Sequence, residues 1–414
     1  MIPSIESIKA MEILDSRGCP TVGCRIKAGS HEVFASVPSG SSCGQFEAFE
    51  LRDLKSDRFF GKGVMTAVEN IHQKIAPKLV GRKVEAEKID WLLRSLDSSL
   101  RYENIGANAI LAVSMAVYKL EALVRSESLY SFFSHDVRLC LPTPMFNVIN
   151  GGCHADNHID VQEFMVVPVG FDSFRDALRC GSEIFHCLKQ CLKDRGLSTL
   201  VGDEGGFAPD IDTVELVLEI ISEAVSRSGY RLGRQVAFAI DFASSEFYHE
   251  GMYHLNAFDH PLTSEQWIEK IEAWTERYPI ISIEDPMADT DIKGWKELNQ
   301  KLGSRLMVVG DDLLVTQVDR LKDAIEQGWA NAILIKPNQV GSVSQTLETI
   351  RLAKDHKMQC IISHRSGETE DTFISDLAVG CQAGFIKAGS LSRSERLAKY
   401  NRLIQIENDF NTDK

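Results

Sequence analysis

Apolar and polar positions follow two different rhythms along this chain. Short alternating runs at Ile5 to Leu14, Thr21 to Ala28 and His31 to Val37 are separated by turn chemistry at Asp15-Ser16-Arg17-Gly18 and Ala28-Gly29-Ser30, which predicts three strands. Helical spacing follows. Apolar residues recur at three- and four-residue steps over Val64 to Leu79 and Ala86 to Leu96, and Asn108 to Val124 is an almost wholly apolar helix. Strands followed by helices predict a small α+β domain over residues 1–130.

From residue 131 to 414 a short β-branched run repeatedly ends in a charged or polar residue, and a helix-length segment follows. The runs close at Asp241, Glu284, Asp311, Lys336, His364 and Lys387, with spacings of 43, 27, 25, 28 and 23 residues. Amphipathic stretches such as Asp319 to Gln327 and Val343 to Lys357 lie between them. Continuous apolar strands alternating with helices predict a parallel sheet buried on both faces. Two earlier strands, expected around Glu163 and Glu204, bring the count to eight. The fold class is therefore α/β: an N-terminal α+β domain followed by a (β/α)8 TIM-like barrel.

Composition narrows the partners. The 414 residues are 44% hydrophobic and 25% charged, an ordinary globular balance. Fifty-nine acidic against 45 basic side chains give a net charge of −14, which argues against general affinity for nucleic acid or an anionic membrane. A local cluster of metals and lysines can still hold an anionic substrate. The first residues, Met1-Ile2-Pro3-Ser4-Ile5-Glu6, have neither the basic nor the apolar region of a leader. The charge-free window from Asn104 to Tyr118 is too short to span a bilayer, so no membrane insertion is expected. Ten cysteines without a C-x-x-C pair read as reduced thiols, and the expected location is cytoplasmic.

In a barrel of this type the loops after the strands carry the chemistry. Any one strand-end carboxylate can simply cap the next helix, but six charged or polar strand ends in succession predict a site. Asp241, Glu284 and Asp311 offer hard oxygen ligands suited to Mg²⁺, whereas no paired His or Cys favours zinc. A lysine among cations, or partly desolvated, loses basicity and can act as a general base. Together these groups suit removal of a weakly acidic proton beside a carboxylate, with the resulting charge held by metal. Asn150-Gly151-Gly152-Cys153-His154 and Gly202-Asp203-Glu204-Gly205-Gly206 add a histidine and a carboxylate on glycine-rich turns. The loop Val37 to Gly44 lacks the lysine and spacing of a nucleotide-binding loop.

Several segments carry a family resemblance: Glu12-Ile-Leu-Asp-Ser-Arg-Gly18, Gly106-Ala-Asn-Ala-Ile-Leu111, Gln162-Glu-Phe-Met165, Gly202-Asp-Glu-Gly-Gly-Phe-Ala-Pro209, Ser282-Ile-Glu-Asp-Pro286, Gly310-Asp-Asp-Leu313, Ile335-Lys-Pro-Asn-Gln339, Ser363 to Asp371 and Ser392 to Tyr400. In order and along the whole chain, these resemble the enolases. The resemblance implies reversible dehydration of 2-phosphoglycerate to phosphoenolpyruvate in glycolysis and gluconeogenesis. It implies two Mg²⁺ per site, one held by Asp241, Glu284 and Asp311, the other recruited with substrate and Ser42. Lys336 would take the C2 proton, and Glu204 would protonate the departing hydroxyl with help from Glu163. Lys387 would hold the substrate carboxylate, Arg365 and Ser366 the phosphate. His154 would close over the site on its own loop, Gln162 and His364 would line it, with His154 and His364 counted among the catalytic residues, and the loop from Ser39 to Gly44 would close to exclude water. Lysine bases with Mg²⁺ are general to this superfamily.

The resemblance also implies a homodimer or higher homo-oligomer. Met11 and Gly23 stand where the family often has a cross-dimer ion pair. Cys43, Cys153 and Ala388 replace hydroxyl residues near the mouth, and Cys19 replaces an asparagine. Cys43 and Cys153 raise an expectation of sensitivity to thiol oxidation. The C-terminal Lys414 is similar to lysines proposed to bind plasminogen on surface-displayed relatives. The alternative reading is a non-catalytic or surface-displayed, plasminogen-binding descendant. It predicts decay at Lys336, Glu204 or the metal carboxylates, and all are retained.

Overall fold

A computed structural model of the chain describes residues 2–40, 46–134, 139–155 and 157–412. Ser42, Cys43 and Lys414 lie outside them.

The N-terminal part is an antiparallel sheet of β1 (Ser7–Leu14), β2 (Pro20–Ala28) and β3 (His31–Ser36), in the order β1-β2-β3. Met11 pairs with Gly23. A Cβ at position 23 would lie 2.6 Å from the Phe34 ring, so any larger residue there would have to displace that ring. The predicted first helix forms as α1 (Met65–Asn70), a π-helical turn at Ile71–Ile75 and α2 (Ala76–Leu79). Then come α3 (Ala86–Leu96), α4 (Ala107–Val124) and α5 (Leu129–Phe133). α4 is long and apolar enough to cross a membrane by composition alone, yet it is 83% buried and packs on β2, β3 and α3. It is the core helix of this domain.

The barrel is closed by eight strands: β4 (Thr143–Asn150), β5 (Glu163–Pro168), β6 (Val236–Asp241), β9 (Ile280–Glu284), β10 (Met307–Gly310), β11 (Ala332–Ile335), β12 (Gln359–Ser363) and β13 (Phe385–Lys387). Two two-residue strands, β7 (Tyr248–His249) and β8 (Met252–Tyr253), form a separate hairpin. Helices α6 (Phe174–Asp194), α7 (Val214–Arg227), α8 (Ser264–Arg277), α9 (Ile292–Leu302), α10 (Val318–Gln327), α11 (Pro337–Val340), α12 (Val343–Asp355), α13 (Phe373–Gly380) and α14 (Ser394–Thr412) connect and follow the strands.

Two expectations are corrected. The barrel is not parallel throughout, because β5 pairs antiparallel with both β4 and β6. Among the described residues no crossover helix lies between Asn150 and Glu163, so the chain returns as an antiparallel neighbour and two consecutive helices, α6 and α7, follow. Among the described residues no barrel strand forms around Glu204. The eighth strand is β4, and Glu204 lies on the loop between α6 and α7. That loop joins the end of β4 through a bridge from Phe207 to Ile149.

The inward faces of the strands form a separate apolar layer of Met145, Met165, Val167, Ala239, Val309, Ala332, Leu334 and Ile361. Because side chains alternate along a strand, residues two positions away keep the same face. Asn147, Glu163, Asp241, Asp311, Lys336 and Ser363 therefore continue the interior series into the mouth. Reversal of β5 is what lets Glu163, at its first residue, reach that end.

Candidate active site

The mouth gathers Gln162, Glu163, Asp241, Asp311, Lys336, His364, Arg365, Ser366 and Lys387 with His154 and Glu204 from the loops. Glu284 does not line this cavity. It sits behind Lys387, whose Nζ lies 2.8 Å from Glu284 Oε1, 3.1 Å from Asp241 Oδ2 and 3.0 Å from Glu163 Oε2. Lys387 is buried; burial works against its charge, but Asp241, Glu163 and Glu284 outweigh that and hold its pKa well above the usual lysine range. Gln162 Nε2 donates to the same Asp241 oxygen at 3.1 Å.

On the other side, Lys336 Nζ is bonded to Asp311 Oδ2, while Gln339 Nε2 donates to Asp311 Oδ1 at 3.0 Å. Burial alone would lower the pKa of Lys336, yet Asp311 raises it above the ordinary value. Paired with Asp311 in this way, Lys336 is held as a cation. Asp285 has φ of 36°, and its two oxygens accept the backbone N–H of Asp311 at 2.9 Å and of Asp312 at 2.8 Å. A strained residue thus fixes the turn that presents Asp311.

The acid pair sits across the barrel. His154 Nδ1 lies 3.6 Å from Glu163 Oε1 and 3.7 Å from Glu204 Oε1. Asn147 Nδ2 donates to Glu204 Oε2 at 3.0 Å. His364 Nε2 is 3.3 Å from that oxygen, without a well-aligned hydrogen bond. Burial and the charge of Glu204 push Glu163 well above the usual carboxylate range. Burial also works to raise Glu204, but His364, His154 and Arg396 hold it well below. Burial holds His364 itself down to about 4 despite Glu204. The two adjacent carboxylates are thus pushed in opposite directions by their surroundings.

Among the described residues, His154, Glu163 and Glu204, and separately Asp285, Asp311 and Asp312, stand close enough to hold one ion. The predicted trio of Asp241, Glu284 and Asp311 does not form one such group; Lys387 is paired with Asp241 and Glu284, and Lys336 with Asp311. Its chemistry nevertheless fits Mg²⁺. All three are buried hard-oxygen donors, and Glu284 Oε2 has no hydrogen-bond partner among the described residues. Burial and the charge of Asp241 push Glu284 well above the usual range, the mark of negative charge short of compensation. Asp285 is less suited, since both its oxygens are committed to backbone N–H groups.

The N-terminal domain completes the mouth. Ser39 and Gly367 exchange backbone hydrogen bonds of 2.7 and 2.8 Å. Glu47 binds Arg365 with both oxygens, at 3.0 Å to Nη1 and 3.2 Å to Nη2. Arg17 Nη1 donates to Ser366 Oγ at 3.3 Å. Sequence reasoning assigned no role to Glu47, Arg17, Asn147, Gln339 or Arg396. Arg17, Gln339 and Arg396 lie inside segments that carry the family resemblance, whereas Glu47 and Asn147 gave no signal.

A barrel with one reversed strand, capped by an α+β domain and lined by opposed carboxylates and lysines, defines an enzyme that does acid–base chemistry on a charged substrate. A family model described as the enolase N-terminal domain matches residues 5–133, and one described as the enolase C-terminal TIM barrel domain matches residues 138–414. An enolase of Wolinella succinogenes is 48% identical over 409 residues, covering 98% of this chain and 97% of its own. An enolase of Helicobacter pylori strain G27 is 48% identical over 410 residues, covering 98% and 96%. The chain belongs to the enolase family, the carbon–oxygen hydro-lyases of the phosphopyruvate hydratase type.

Proposed function

We propose that this chain carries out the reversible, Mg²⁺-dependent dehydration of 2-phospho-D-glycerate to phosphoenolpyruvate. Lys336 is the base for the C2 proton, and Glu204, with Glu163, is the acid for the C3 hydroxyl. The observation that carries this reading is topological. β11, which leads into Lys336, stands four places from β5, which begins at Glu163, in the eight-strand ring. Base and acid groups therefore face one another across the mouth, as removal of a proton and a hydroxyl from opposite sides of a substrate requires.

Asp241, Glu284 and Asp311 would hold Mg²⁺, and Ser42 would serve a second ion. Bound there, the metal supplies positive charge that offsets the charge developing on the substrate carboxylate. Lys387 adds a fixed cation to the carboxylate side. Lys336 accepts a proton only when neutral, so its bond to Asp311 must be broken first. Glu204, assisted by Glu163, delivers the proton to the leaving hydroxyl, which departs as water. Arg365 and Ser366 take the phosphate, with Arg365 exchanging Glu47 for it.

A homodimer is part of the same proposal. It is supported by family membership and by the exposure of Leu14 and Phe34 on the small sheet. Light scattering after size exclusion reads this directly.

The deciding experiment follows the ultraviolet absorbance of the enol phosphate with purified protein, 2-phosphoglycerate and Mg²⁺, with and without EDTA. A rise that EDTA abolishes and that Lys336→Ala lacks is the expected result. Folded, Mg²⁺-supplied protein that gives no rise would overturn the assignment.

A further inference from the structure

Arg396 is wholly buried in the first turn of α14, where a cation runs against the helix dipole. Helix stability does not explain its place. A buried guanidinium must find acceptors for its N–H groups, and this one finds them chiefly on the walls of the mouth. Nη1 donates to His364 Nδ1 and to the carbonyl of Arg365, each at 2.6 Å. Nη2 donates to the carbonyl of Ser366 at 2.5 Å and of Asp203 at 3.2 Å. The remaining Nε is 3.4 Å from Glu395 Oε1. Room for the side chain is reserved by Gly389, at φ +83°, where a Cβ would lie 2.8 Å from Arg396 Cδ and 2.9 Å from the carbonyl oxygen of Glu204.

A guanidinium has no acceptor, so His364 Nδ1 must accept. The neutral ring then carries its proton on Nε2, the atom 3.3 Å from Glu204 Oε2. The other tautomer would set N–H against N–H. The same guanidinium ties the backbone of Arg365 and Ser366, on the phosphate side, to the turn that carries Glu204, on the acid side.

We infer that Arg396 is a positioning residue that fixes His364 as its Nε2–H tautomer facing Glu204 and locks the Asp203–Glu204 turn to the Arg365–Ser366 backbone. The tautomer follows from geometry alone, while the consequence for turnover rests on the reaction proposed above.

Histidine-labelled ¹H–¹⁵N spectra of the full chain near neutral pH test the tautomer, with the His364 signals assigned by their loss in His364→Gln. The expected result is a neutral ring protonated on Nε2. Arg396→Lys keeps the charge without the planar fork, and Arg396→Met removes both. Each is expected to give mixed tautomers, a fall in kcat of about 10- to 100-fold and a rise in KM for 2-phosphoglycerate. A proton on Nδ1 in the unaltered protein would overturn the inference without any variant having to fold. So would an Arg396→Met protein that melts lower but keeps both tautomer and kcat, which is what a merely structural residue would give. An Nε2-protonated His364 in a protein with no hydratase activity would support the tautomer and reject the reaction.

Discussion

Lys336 Nζ and Asp311 Oδ2 are bonded to each other at the ends of neighbouring strands, so the candidate base and a candidate metal ligand neutralise one another. Each is held ready by what the other lacks. Asp311 keeps Lys336 cationic, and Lys336 occupies an oxygen that a metal would use. Lys336→Ala is expected to lower kcat by about 10²–10⁴-fold with the fold intact. Asp311→Asn is expected to raise the Mg²⁺ concentration needed for half-maximal rate. Turnover by Lys336→Ala near the unaltered rate would remove it as the base.

Glu47 holds the buried Arg365 from the other domain, with side-chain exposures of 5% and 6%. Breaking a buried pair leaves a charge uncompensated. Glu47→Gln should therefore lower stability by about 3–5 kcal/mol, and 2-phosphoglycerate should stabilise the variant more than it stabilises the unaltered protein. Thermal melts with and without the substrate check this. Equal ligand-induced shifts in both proteins would show that Glu47 does not stand in for the phosphate.

Asp90 gives a pH dependence away from the mouth. It is fully buried, accepting bonds from Ser114 Oγ at 2.9 Å and the Ser344 N–H at 2.8 Å. Burial raises its pKa from 3.8 to about 6. A raised acid binds its proton more tightly in the folded state, so its contribution is present below the unfolded value and is lost as pH rises through the folded one. Between about pH 5 and about pH 7.5 the loss is on the order of 1.4 kcal/mol. Asp90→Asn should erase that difference, whatever its absolute effect. Urea denaturation at both values reads it, and an unchanged pH difference in the variant would assign it elsewhere.

The expected oxidation sensitivity is not supported at Cys153. Its thiol is exposed, but partial burial and Glu246, with Asp312 adding, push its pKa up to about 11. Little thiolate forms near neutral pH, and the thiolate is the reactive species. Iodoacetamide at neutral pH should label Cys153 slowly, and Cys153→Ser should keep activity within about twofold. Rapid labelling of Cys153 with loss of turnover would restore the original expectation.

Elements whose signal is local were legible along the chain. Apolar runs ending at Asp241, Glu284, Asp311 and Lys336 marked strands and their mouth ends, because alternation on a strand fixes which side chains share the inward face. The sequence also named the charged groups from which a site could be made. Tertiary structure alone decided the direction of β5, since an apolar strand reads the same whichever way it pairs. It also decided that Glu204 reaches the mouth on a loop rather than a strand. The state of Lys336 was likewise beyond the sequence. Desolvation and Asp311 act on it in opposite senses, and only their distances determine which wins. Glu47 and Arg396 lie 318 and 31 residues from the Arg365 groups they bind. No periodicity along the chain records such contacts, because they exist only once the small domain and the last helix have packed against the barrel.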